Sequence, residues 1–83
     1  MANINASFCN NYGESRLYVI LDIKRDPNAP PEIFRGYLEP GQCTDTLSIY
    51  TGSDVWGSVI YQRSDGAPTT VDVINDGGTV QMN

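Results

Sequence analysis

Eighty-three residues carry ten acidic and five basic side chains, for a formal charge of −5, with two cysteines and no histidine. A chain this short makes one domain, residues 1–83, with a thin core: it buries only about 60 to 65 percent of its unfolded surface. The acidic balance argues against nucleic acid and anionic membrane as partners. The missing histidine removes the usual base of nucleophilic catalysis, and two thiolates are too few ligands for a structural zinc site.

The N-terminal MANINASF has no charged region followed by an apolar run, and the longest apolar stretch, Leu17 to Leu21, is five residues. No signal peptide or transmembrane segment is expected in the chain as written, and the compartment stays open. From Ile4 onward apolar and polar residues alternate with period two, a β pattern. Ile4, Ala6 and Phe8 share one face of a first strand, which ends at a turn over Asn10-Asn11-Tyr12-Gly13. In RLYVILDI, Leu17, Val19, Leu21 and Ile23 share one face while Tyr18, Ile20 and Asp22 share the other. Because both faces carry apolar residues, this segment is expected to be a central strand.

Arg25 to Glu32, RDPNAPPE, holds Pro27, Pro30 and Pro31. No regular element tolerates that density, so it reads as an exposed loop stiffened by fixed φ angles. EIFRGYLE follows as a strand with Phe34 and Leu38 inward, and Pro40-Gly41 turns the chain into QCTDTLSIY, where alternation groups Cys43, Leu47 and Ile49. VWGSVIYQR, TTVDVIN and TVQMN are further strands, separated by turns at Ser64-Asp65-Gly66 and Asn75-Asp76-Gly77-Gly78. About seven strands at intervals of roughly 8 to 14 residues, with no helical segment, imply an all-β fold. A small antiparallel β-sandwich, immunoglobulin-like in general architecture, is the expected closure, with a compact β-barrel as the alternative.

Cys9 and Cys43 lie outside any CxxC pattern and leave two readings open: one disulfide or two buried thiols. Lys24, the only lysine, borders the proline loop as an exposed, ion-paired residue, a poor base for serine chemistry. Asp54, Asp65, Asp72 and Asp76 are oxygen ligands that calcium could use, but their spacing matches no EF-hand, and aspartate is also what tight turns require. No cofactor is implied.

The clearest hint of a contact surface is aromatic: Trp56, with Tyr12, Tyr18, Tyr37, Tyr50 and Tyr61. Alternation sets Val55, Gly57, Val59 and Tyr61 on one face of their strand and Trp56, Ser58, Ile60 and Gln62 on the other. If Gly57 lets the facing sheet approach closely, Trp56 is a partly exposed platform; with the faces reversed, Trp56 and Ile60 fill the core. The sequence therefore points to a non-enzymatic module that binds another protein through Trp56, Tyr18 and Tyr37 and through the rigid loop at Pro30 and Pro31. A self-assembling homo-oligomer, docking through its short ends MANIN and VQMN, is the alternative. Carbohydrate stacked on Trp56 or a tyrosine is a third reading.

Overall fold

The computed structural model describes residues 2–83. Seven strands form: β1 (Asn3–Asn10), β2 (Arg16–Asp22), β3 (Glu32–Leu38), β4 (Leu47–Tyr50), β5 (Trp56–Arg63), β6 (Thr69–Asn75) and β7 (Gly78–Met82). They lie in two sheets, ordered β4-β1-β7 and β3-β2-β5-β6, and every neighbouring pair is antiparallel except the parallel pair β1–β7. The Cα envelope measures 37 × 26 × 17 Å. A thickness of 17 Å fits two sheets about 10 Å apart and no third layer, so each sheet turns its second face to the surface.

The expected sandwich is therefore present, and the strand order is its own. A constant-type immunoglobulin domain would read 1-2-5-4 in one sheet and 3-6-7 in the other. Here β2 and β5 are again central partners, but β1 has moved to the middle of the opposite sheet, between β4 and β7. The N-terminal strand, expected as a free docking strand, is consequently an interior one, its residues Asn3 to Ala6 paired with Tyr50 to Leu47.

The core fills the gap between the sheets. Ile4, Ala6 and Phe8 of β1, with Ile49 and Met82 from its neighbours, face Tyr18, Ile20, Leu38, Val59, Tyr61 and Ile74 of the other sheet. Gly57 is the point of closest approach: a Cβ there would lie 2.6 Å from Cγ2 of Ile49 across the interface. Only glycine lets β5 and β4 meet at that distance, as the strand pattern suggests.

Two departures from simple alternation shape the rest. QCTDTLSIY does not run as one strand: Cys43 makes an isolated bridge to Cys9, and regular pairing resumes only at Leu47. The pair Cys9↔Cys43 is out of step by one residue with Ala6↔Leu47, so Cys43 faces away from the core that Leu47 and Ile49 join. In β6 two residues, Asp72 and Val73, lie between Val71 and Ile74 where β5 has only Ser58, a bulge that keeps both Val71 and Ile74 inward.

Candidate functional site

No cavity or cleft opens among the described residues, so the molecule offers flat faces, edges and loop ends. The outer face of β3-β2-β5-β6 is built by β2. Tyr18, Ile20 and Asp22 point into the core, which leaves Leu17, Val19 and Leu21 on the outside, half-buried, with Ile23 continuing the row past the strand end. Cross-strand pairing extends the row sideways: Tyr37 opposite Leu17, Arg35 and Gln62 on either side of Val19, Ile60 opposite Leu21. None of these outward aliphatic residues belongs to the core cluster. Tyr37 is 72% exposed and Val73, on the β6 edge, 57%. The result is a broad aliphatic strip with an aromatic at one side, and such patches mark interaction sites.

Trp56 stands at one corner of this face. It is half-buried on the outward side of β5, opposite to Gly57, Val59 and Tyr61, so it does not fill the core. Lys24 sits over its ring, with Nζ 3.5 Å from the centroid, and the same ammonium donates to Oδ2 of Asp54 at 2.5 Å and to the Trp56 carbonyl at 3.3 Å. The cation holds the indole in place through the ring quadrupole and covers one ring face, so that face is closed to a ligand.

The proline loop lies at the same end of the molecule, between β2 and β3. Its tip is exposed and shaped by Asp26, whose Oδ1 accepts the N–H groups of Asn28 and Ala29. Pro30 and Pro31 are half-buried at its base, and the Pro31 carbonyl accepts the Asp22 N–H at 2.9 Å. The exposed segment is thus Arg25 to Ala29, and the Pro-Pro pair anchors it.

Asp22 ties this end together from within. It has no exposed surface; Oδ2 accepts the Tyr50 N–H of the facing sheet at 3.0 Å and the Arg25 Nε at 3.3 Å, and Oδ1 has no partner. Arg25 also reaches Asn3 and lies over the Tyr50 ring, its Cζ 5.2 Å from the centroid.

The tyrosines do not form one surface. Tyr18 and Tyr61 are core residues; Tyr12 is capped by Arg63 and Arg16; Tyr50 is covered by Arg25; only Tyr37 projects freely. Tyr18, expected among the contact residues, has no exposed surface, because its hydroxyl finds a buried acceptor, donating to Oδ1 of Asn10 at 2.8 Å. Burial pushes that hydroxyl above the usual phenol range. Asn10, also buried, is fully used: Oδ1 accepts from Tyr18 and from the Tyr12 N–H, and Nδ2 donates to the carbonyls of Glu14 and Leu38. The motif signal for this network was only an Asn in a turn.

At the far end Asp65 bridges Arg63 and Arg16, joining the β5–β6 turn to the start of β2. The Arg63 guanidinium, and then that of Arg16, holds the Asp65 carboxyl below the usual carboxylate range. Of the remaining aspartates considered for calcium, Asp54 pairs with Lys24 and Asp76 accepts the Asn5 N–H, so the four do not converge. Among the described residues no group of three or more metal-binding side chains forms.

The outer face of β4-β1-β7 is of another kind. Asn3, Asn5, Ser7, Ser48, Thr79 and Gln81 point outward, and the three strands contain no charged residue. Cys9 and Cys43 are joined across this face by a disulfide, Cys9 buried and Cys43 exposed. No protein-family model matches the chain, and neither a curated protein nor a solved structure is significantly similar to it.

Proposed function

We propose that this protein is a non-enzymatic binding module whose ligand is another protein, met by the outer face of β3-β2-β5-β6. The observation that carries the reading is the row Leu17, Val19, Leu21, Ile23 with Ile60, half-buried yet outside the core, bordered by Trp56 and the exposed Tyr37. A flat aliphatic centre with aromatic anchors at its margin is the composition of a protein interface core. The proline loop tip, at the same end of the sheet as Trp56, adds a stiff element that loses little entropy on docking.

The test compares three forms of the protein as baits: wild type, Leu21→Lys/Ile60→Lys on the aliphatic face, and Ser48→Lys/Thr79→Lys on the polar face. Proteins retained by wild type and by the polar-face variant but lost from the aliphatic-face variant are the expected outcome. Equal retention by all three would overturn the reading.

A self-assembling structural subunit is the second reading, favoured by the open edge of β6. Thr69, Thr70, Asp72 and Val73 are exposed there, and β6 pairs on one side only, with β5. A lysine in the edge, Val73→Lys, should dissolve any such assembly. An unchanged particle size in light scattering counts against it.

A further inference from the structure

The charges of this chain are distributed so that the aliphatic face calls for a particular kind of partner. Every cation is engaged internally: Arg16 with Glu14 and Asp65, Lys24 with Asp54, Arg25 with Asp22, Arg35 with Glu32, and Arg63 with Asp65. Those five cations meet five carboxylates, and ten acids less five leaves five with no lysine or arginine in ion-pair distance among the described residues: Asp26, Glu39, Asp45, Asp72 and Asp76. The formal charge of −5 is therefore located on these five side chains.

Three of them border the aliphatic face on three different sides. Asp26 lies in the loop joining β2 to β3, Glu39 directly follows β3, and Asp72 sits on the β6 edge. All three residues are exposed. Arg35 on the face is held by Glu32 through Nη2 to Oε1 at 2.7 Å, and Lys24, over Trp56 at its corner, is held by Asp54, so neither adds net charge there.

Resting on the reading of this face as a protein-docking surface, we propose that its partner is a basic polypeptide: an apolar ridge that covers Val19, Leu21 and Ile60, flanked by lysines or arginines that meet Asp26, Glu39 and Asp72. Charge complementarity makes the choice between occupants. A second copy of this chain would bring no lysine or arginine that is not already paired with its own carboxylate, and would set one ring of uncompensated acids against another. A basic partner gains attraction at the rim at no cost to the apolar contact, and the rim raises its association rate.

The experiment uses the full chain, labelled with nitrogen-15, and two synthetic amphipathic helical peptides with the same leucine pattern. One carries lysine and the other glutamate on its polar face. The lysine peptide should bind at least about ten-fold more tightly than the glutamate peptide. Its amide shifts should centre on Val19, Leu21, Ile60 and Trp56. Asp26→Asn/Glu39→Gln/Asp72→Asn should weaken the lysine peptide about ten-fold, three exposed ion pairs together, and should not weaken the glutamate peptide, whose repulsion by the rim it relieves. Equal binding of both peptides at the aliphatic face would overturn the basic partner and leave that face a protein-docking surface. Shifts confined to the polar face, or none, would overturn both. Sedimentation of the free protein as a dimer, with the aliphatic-face amides protected, would identify a second copy as the occupant.

Discussion

The two outer faces of this sandwich are made by the same device and differ in nearly everything else. Each is the second side of a strand whose first side fills the core. On β1 that second side is Asn3, Asn5 and Ser7; on β2 it is Leu17, Val19 and Leu21. The polar face is fastened by a disulfide and belongs to a sheet with a four-residue edge strand, while the aliphatic face belongs to the wider sheet and has no covalent tie. A face that needs only water can be amide and hydroxyl. A face that stays half apolar when the core is already complete is the feature on which the proposed docking surface rests.

Breaking the polar face at its staple should have the largest effect on stability. Closing a loop over 34 residues is worth about 4 kcal/mol by chain entropy, so Cys9→Ala/Cys43→Ala should lower the unfolding free energy by about that much in urea titration. Next is the Asn10 network at the junction of the two sheets. Asn10→Ala strands the Tyr18 hydroxyl and the Leu38 carbonyl in the core and should cost about 3 kcal/mol in the same titration. Gly57→Ala drives a methyl against Ile49 and should cost about 2 kcal/mol, whereas Gly13→Ala, with open space around its Cβ, should be nearly neutral.

The comparison is sharpened by substitution on the faces themselves. Leu21→Lys should cost no more than about 1 kcal/mol, since its stem still covers its neighbours, and should reduce binding of an apolar dye such as ANS. Ser48→Leu on the polar face should raise dye binding with no loss of stability. Smallest is the pH response of Asp65. Its native carboxyl titrates below the unfolded value of about 3.9, so its contribution is complete above that value and is lost as pH falls through the lower native one. Asp65→Asn should flatten the part of the stability profile that lies below the ordinary aspartate value of about 3.9.

Alternation, turn residues and prolines located the strands, the proline loop and the inward side of β1 and β3, and the glycine in β5 announced the close sheet contact. What they left open was the inward side of β5, where Trp56 could equally have filled the core, and the orientation of β2. Both of its residue sets are apolar, so a period of two defines the sets without choosing which one is buried. The choice falls to partners distant in sequence: Oδ1 of Asn10 accepts the Tyr18 hydroxyl, and Oδ2 of Asp22 accepts the Tyr50 N–H and the Arg25 Nε, so Tyr18 and Asp22 find hydrogen-bond partners inside. The opposite set has no polar atom to satisfy and can lie at the surface. In the same way the pairing of Cys9 with Cys43 depends on a one-residue shift in register between Thr44 and Thr46 that no local pattern signals, and for that reason β4 begins only at Leu47. The sequence by itself determined that there are seven strands and about where each lies, because propensity and periodicity are local. Only the tertiary structure decided which faces meet, because satisfaction of buried polar groups is settled between residues far apart in the chain.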